Sequence, residues 1–349
     1  MERLSVDVGG VKIGGGAPVV VQTMTKSRSR NTPQIIKEIL SVVEVGAELV
    51  RVAIPEEADL ESFAEIVKAS PVPVIADVHF NPRLALGAIK NGAAKLRINP
   101  GNIGSADDLK EIALRAKGMG IPIRVGVNAG SLPPYILERF THPTTEAILA
   151  ALSDYVRIFE DFGFTDLVIS AKTSDARQTI DIYRGLYKRF PYPLHLGVTE
   201  AGLPFEGAIR STAAMAPLLL EGIGDTIRIS LAGEAVREIE ACRELLSSLG
   251  LRKHGPKLIV CPTCGRTEID VVELAEKVKE KLKGIKQPMT VAVMGCVVNG
   301  PGEAMEADYG IAGGKGKGAL FRKGEVIATV EEDKLLDALL DLISKDINP

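Results

Sequence analysis

The chain has 349 residues, 46% hydrophobic and 25% charged, and 42 basic against 45 acidic residues leave a formal charge of -3. These values exclude a disordered chain and a globally basic nucleic-acid binder, and 4% aromatics without tryptophan leave few platforms for stacking bases. No uncharged apolar run approaches the ~20 residues of a membrane helix. The opening Met-Glu-Arg-Leu-Ser-Val-Asp lacks the pattern of a signal peptide, and four cysteines are too few for a disulfide framework. A reduced, cytoplasmic setting is expected, with neither nucleic acid nor membrane as partner. At ~150 residues per domain the length suggests about two domains.

In chain order, the glycine-rich stretch from Val8 to Gly16 reads as a hairpin capping the bottom of a barrel. From Pro18 to about Leu249, β-branched runs alternate with amphipathic helical stretches. The runs lie at 19–24, 49–54, 74–79, 95–99, 123–128, 167–172, 194–200 and 226–231. Helical segments are expected at 33–45, 56–69, 105–118, 144–162, 175–189, 206–221 and 233–248, with start signals at Thr32-Pro33 and at Ser105 ahead of Asp107-Asp108. Eight βα repeats predict a TIM (β/α)8 barrel over residues 1–249. A doubly wound open sheet fits less well, because it usually has fewer strands and a glycine-rich first turn. Residues 249–256 form a polar linker, and residues 250–349 are expected to be a small α+β domain. Its expected elements are strands at 258–260, 289–294, 320–321 and 326–328, with helices at 270–283 and 331–345. The run Gly310–Gly318 lacks P-loop spacing and reads as a mobile turn.

Parallel strands are covered on both faces and should be nearly continuous apolar runs. Here several carry polar side chains near their C-terminal ends: Arg51, Arg97, Arg124 with Asn128, Lys172, Glu200, and Arg228 with Ser230. The pairs Arg124/Asn128 and Arg228/Ser230 are spaced evenly along a strand and share a face. In a barrel these ends converge on the site mouth. Five cations in one partly desolvated space require an anion, and guanidinium forks with an ammonium suit phosphate. The bland alternative pairs each cation with an acid such as Asp77 or Glu200, or leaves it outside. It is the better reading for one arginine and a weak one for five at the same end of their strands. Asp77 and His79 share a face and could also reach the mouth. Glu200 beside several cations should be ionised, able to position hydroxyls or to serve as a counter-ion.

Cys261-Pro262-Thr263-Cys264 is a CxxC motif, and Cys296 comes later in Met294-Gly295-Cys296. Such motifs serve zinc ribbons, redox dithiols and iron–sulfur clusters. Three cysteines are an incomplete set for zinc, which would borrow His254 or a carboxylate. They are a good set for a cubane cluster with one special iron, for which Glu303 could supply a weak oxygen ligand. Cys242 sits on a barrel helix and reads as packing.

Cys261-Pro262-Thr263-Cys264-Gly265-Arg266 and the segment from Met294 to Ala304 resemble the two signatures of the 4-hydroxy-3-methylbut-2-enyl diphosphate synthase family of the non-mevalonate isoprenoid pathway. Gly224–Leu231 and His195–Gly202 are similar to that family too, and the likeness runs over essentially the whole chain in its short bacterial form. The resemblance implies a [4Fe-4S] cluster held by Cys261, Cys264, Cys296 and Glu303. It implies 2-C-methyl-D-erythritol 2,4-cyclodiphosphate as substrate, its diphosphate held by Arg51, Arg97, Arg124, Lys172 and Arg228 with Asn128 and Ser230. It assigns Glu200 and Glu303 to catalysis, a flavodoxin or ferredoxin to electron supply, and a homodimer to the assembly. Two rivals remain: a phosphate-binding barrel lyase or synthase with a zinc tail and Lys172 as Schiff-base residue, and a non-enzymatic iron–sulfur or zinc module, which would not need five cations at a barrel mouth.

Overall fold

The computed structural model describes residues 2–199, 202–296, 302 and 305–347. The chain forms two compact units, Met1–Arg252 and Lys253–Pro349.

The first unit opens with a hairpin of β1 (Ser5–Val8) and β2 (Val11–Gly14). Its two turn residues, Gly9 and Gly10, both have positive φ, the requirement of the tight turn that matches strand twist. Val6, Val8 and Ile13 of the hairpin pack against Val20, Leu49, Ile75 and Val168, and so plug the barrel's N-terminal end.

Eight parallel strands come next: β3 (Val20–Met24), β4 (Leu49–Ile54), β5 (Val74–Val78), β6 (Lys95–Ile98), β7 (Ile123–Asn128), β8 (Leu167–Lys172), β9 (His195–Leu196) and β10 (Thr226–Ile227). They neighbour one another in the order β8-β7-β6-β5-β4-β3-β10-β9, and a parallel bridge between Ile169 and Leu194 closes the ring. The fold is a TIM barrel. Its helices are α1 (Thr32–Glu44), α2 (Asp59–Ala69), α3 (Pro82–Lys90), α4 (Ala106–Met119), α5 (Pro134–Phe140), α6 (Thr145–Asp161), α7 (Ala176–Arg189), α8 (Pro204–Leu220) and α9 (Ala235–Ser248). The start of α4 is a full capping box between Ser105 and Asp108, and Gly120 ends it in the left-handed conformation. Two helices, α3 and α5, are additions to the pattern expected from sequence. At nine and seven residues they are too short for a clear period, although Asn81-Pro82 is a helix-start signal and the Asn81 side chain does accept from Arg83 N–H.

The second unit is a five-stranded sheet in the order β11-β12-β13-β14-β15. Its strands are β11 (Pro256–Val260), β12 (Met289–Met294), β13 (Tyr309–Gly313), β14 (Lys317–Arg322) and β15 (Glu325–Glu331). The first three run parallel, β14 is antiparallel to β13, and β15 is antiparallel to β14. Helices α10 (Val271–Lys281) and α11 (Leu335–Ile347) pack on it through Val271, Ala275, Val278, Leu335, Leu339 and Ile343. The expected mobile turn at 310–318 is instead mostly a β13–β14 hairpin. Two of its glycines are required by packing: a Cβ on Gly310 would lie 2.1 Å from the Phe321 ring, and one on Gly313 2.4 Å from Ile269.

Candidate functional site

Strand alternation sorts the barrel residues into two sets. Val50, Val52, Ile123, Val125, Ile169, Leu196, Ile227 and their alternates join the core beneath the helices. The opposite set starts with the apolar layer under the hairpin and continues upward as Arg51, Asp77, Lys95, Arg97, Arg124, Lys172, His195 and Arg228, which therefore project into the barrel. Six cations share that interior. Among the described residues, the carboxylates in ion-pairing distance of them are Asp77 and Glu238.

Asp77 is the hub of one network. Its carboxylate lies 3.2 Å from Arg97 Nη1, 3.7 Å from Arg51 Nε and 3.5 Å from His79 Nε2. Burial alone would raise its pKa. Arg51, the His79 hydrogen bond and Arg97 outweigh burial and hold the carboxyl well below the usual carboxylate range. Arg51 also rests on the Met24 thioether, with Nη2 2.9 Å from Sδ, and burial brings its own pKa down to about 10.

A second network centres on Glu238 of α9, whose side chain is fully buried. It accepts from Arg228 Nε at 3.0 Å and Nη2 at 3.3 Å, from Thr23 Oγ1 at 2.6 Å and from Leu231 N–H at 3.0 Å, and it pairs with Lys26. The fork fixes the Arg228 guanidinium in one plane.

Among the described residues Arg124 has no such partner. Its residue is 2% exposed, yet Nε and Nη1 find no hydrogen bond among the described residues, nor do Nζ of Lys95 and Nε2 of His195, both fully buried. A guanidinium stays charged, and an uncompensated buried charge costs several kcal/mol. Burial first, then the fields of Arg228, Arg51, Arg124 and Arg97, press Lys172 toward its neutral amine. Two glycines let the interior side chains approach the strands closely. A Cβ on Gly126 would meet Ser170 Oγ at 2.6 Å, and one on Gly197 would lie 3.3 Å from Lys172 Nζ.

Of the residues singled out from sequence, Arg51, Arg97, Arg124, Lys172 and Arg228 lie on this one interior surface. Asn128 pairs in register with Lys172 at the strand ends, and both are partly exposed, as is Ser230. Glu200 and Glu303 lie outside the described residues. Three interior residues are missed by sequence reasoning: Lys95, His195 and Glu238. Lys95 sits two residues before Arg97 and so shares its face. Glu238 interrupts the apolar stripe Ala235, Ile239, Cys242, Leu246 of α9, a signal that the sequence does carry.

In the second unit, β11 and β12 are adjacent and parallel, with Val260 level with Val293. Cys261 directly follows β11, and Cys296 lies two residues past β12, so both stand at the same end of the sheet. Cys261 N–H donates to Val293 O at 2.9 Å, and Glu268 N–H to Gly295 O at 2.9 Å. Thr267 Oγ1 accepts from Cys264 N–H at 3.0 Å. A Cβ on Gly295 would stand 2.9 Å from Thr267, so glycine lets the Cys296 loop seat against the CxxC loop. The cysteines are thiols rather than disulfides. Among the described residues no three His, Cys, Asp or Glu side chains already converge as a metal site. The donor set nevertheless suits iron–sulfur: three thiols on two adjoining loops, Cys264 exposed and Cys296 buried. Cys242 differs. Burial pushes its thiol up to about 12, and Ile229 N–H donates to its sulfur at 3.3 Å, which makes it an inert packing group. No helix among the described residues is long and apolar enough to cross a membrane.

Comparison with known proteins adds to this geometry. Residues 3–243 match the GcpE TIM-barrel domain, and residues 257–345 match the GcpE protein C-terminal domain. The chain is 48% identical over 338 residues to a Thermodesulfovibrio yellowstonii protein, covering 97% of each, and 47% identical over 349 residues to one from Fusobacterium nucleatum, covering 99% of each. Both relatives are named 4-hydroxy-3-methylbut-2-en-1-yl diphosphate synthase (flavodoxin). Among solved structures, the Bacillus subtilis spore coat polysaccharide biosynthesis protein spsE superimposes with a TM-score of 0.52 at 12% identity, over 71% of this chain and 73% of that one. A 7,8-dihydropteroate synthase from Vibrio fischeri gives 0.51 at 9% identity, over 71% and 98%. At these identities the likeness is one of fold.

Proposed function

The chain belongs to the GcpE family, and from that premise we propose that it catalyses the reductive ring opening of 2-C-methyl-D-erythritol 2,4-cyclodiphosphate. The product is (E)-4-hydroxy-3-methylbut-2-enyl diphosphate, an isoprenoid precursor. The balance is two electrons and two protons taken up and one water released. The observation that carries the reading is the inward set of six cations facing only Asp77 and Glu238 among the described residues, an interior whose chemistry asks for a multiply charged anion.

In this reading Arg51, Arg97, Arg124, Lys172 and Arg228 grip the cyclic diphosphate, and Asn128 and Ser230 hydrogen-bond to it. When the ring opens, one diphosphate oxygen leaves carbon and gains negative charge. Fixed guanidinium groups already aimed at that oxygen stabilise it without reorganising. Glu238 keeps the Arg228 fork in place, and Asp77 does the same for Arg51 and Arg97. Glu200 positions the substrate hydroxyls. Cys261, Cys264 and Cys296, with Glu303, are assigned to a [4Fe-4S] cluster. When bound, that cluster supplies electrons singly. The relatives' names specify flavodoxin, so a reduced flavodoxin is the expected donor to this chain, with a ferredoxin as the other candidate. The assembly is a homodimer and the setting cytoplasmic.

The test is anaerobic purification, then assay with the cyclodiphosphate and reduced flavodoxin. Iron and sulfide in the protein, and formation of the linear diphosphate, are expected. Iron-free protein from a cell able to build clusters, or no product from cluster-loaded protein, overturns the reading. Glu303→Ala should slow turnover while the cluster's absorption persists.

A further inference from the structure

The interior donors form two levels. Arg97 and Arg228 reach toward the mouth, where Asp77 and Glu238 meet them. Lys95 and Thr226 stand two residues earlier on the same strands, about 7 Å deeper at ~3.3 Å per residue. His195 likewise stands two residues below Gly197, beside which Lys172 Nζ lies. At the lower level Gln22 Nε2 lies 3.2 Å from His195 Nδ1 and close to the Thr226 hydroxyl. An amide nitrogen can only donate, so Nδ1 accepts and the ring proton sits on Nε2. Burial, then Arg124, Lys172, Lys95 and Arg51, keep this imidazole neutral. The Nε2–H is thus a donor, and it has no acceptor among the described residues.

Lys95 Nζ and the Nε and Nη1 of Arg124 are in the same condition. All three residues are at least nine-tenths buried and face the same interior, and none has an ion pair among the described residues. Burial and then the field of Arg124 lower the pKa of both Lys95 and His195. Three buried donor side chains without acceptors among the described residues suit an anion and not a metal ion. Leu49, Ile75 and Val168 of the apolar cluster flank this level, Ile75 standing in register with Lys95.

We propose that this lower chamber is a binding site for a small monovalent anion of chloride size, held by Lys95 Nζ, the Arg124 guanidinium and the His195 Nε2–H. The anion stays when the diphosphate occupies the mouth. It offsets the mutual repulsion of the buried cations, and Arg124 is shared between this anion and the diphosphate above it. The chamber rests on the diphosphate reading only for what lies above it.

The experiment uses the full chain. Crystals grown in sodium bromide, with and without pyrophosphate, are measured for anomalous scattering, and thermal unfolding is recorded in chloride against gluconate at constant ionic strength. A bromide peak in contact with Lys95 Nζ and His195 Nε2 is expected in both crystals, along with a saturating rise of Tm in chloride. Lys95→Met should lose that rise, and His195→Gln should shift its half-saturation to higher chloride. If Lys95→Met does not fold, the bromide map and His195→Gln decide. Water alone in the chamber, a Tm indifferent to chloride, or bromide displaced by pyrophosphate overturns the proposal. Pyrophosphate binding measured by calorimetry separates this failure from failure of the diphosphate site: retained binding with an anion-free chamber sinks the halide site alone.

Discussion

Asp77 shows how one residue can carry both stability and a pH dependence. Its folded pKa is depressed, so its contribution is complete above the unfolded value near ~3.9 and is lost as pH falls toward the folded one. Urea unfolding of Asp77→Asn should therefore show a stability deficit at pH 7 that narrows below about pH 4. A constant deficit across that range would mean that the ion pairs with Arg51 and Arg97 contribute nothing. Glu238 makes the complementary case. Removing one partner of a buried pair costs ~3–5 kcal/mol because the other charge is stranded. Glu238→Ala should lose about that much, Glu238→Gln less, and both should weaken pyrophosphate binding in calorimetry, since Arg228 loses the fork that aims it. Unchanged pyrophosphate affinity in a folded Glu238→Gln variant would separate Arg228 from the site.

At the scale of elements, the seam where the barrel closes is its thinnest part. Among the described residues, only the Ile169–Leu194 bridge joins β8 to the β9 side in the ladder. Tyr183 of α7 reinforces it from outside. Its hydroxyl accepts from Ala171 N–H at 3.1 Å and reaches the carbonyl of Ala171 at 2.8 Å and that of His195. A side chain thus takes over work that backbone pairing performs elsewhere in the ring. Tyr183→Phe leaves buried backbone groups unsatisfied and should destabilise the barrel by about 1–3 kcal/mol, read from the urea midpoint. Because Lys172 ends β8 and His195 begins β9, the same variant should loosen pyrophosphate binding. The short helices α3 and α5 make the opposite point about legibility. Their caps are written in Asn81-Pro82 and Pro133-Pro134, but a helix of two turns shows too little period to stand out from a loop.

For the whole molecule, the two units have separate apolar cores, one under the barrel helices and one between the second sheet and α10 with α11. Separate cores predict separable unfolding. Calorimetry of the intact, cluster-loaded chain should resolve two transitions, and iron removal by a chelator should lower the one belonging to residues 253–349 while sparing the barrel's. A single transition that moves as one with iron content would show the two cores to be coupled. The halves also divide the chemistry, with fixed charge in the first and thiols in the second.

The eight βα repeats, the hairpin ahead of them and the strand-end cations are legible in the chain itself, because period and strand alternation are local properties that each segment carries alone. The CxxC and the later Cys296 are legible for the same reason. Which acid answers which base is not. Glu238 meets Arg228, Lys26 and Thr23 across as many as 215 positions of sequence. Asp77 claims Arg51 and Arg97, and Arg124 is left without a counter-ion among the described residues. Ion pairing depends on distance and burial, and both come into being only when the barrel closes and excludes water from its interior.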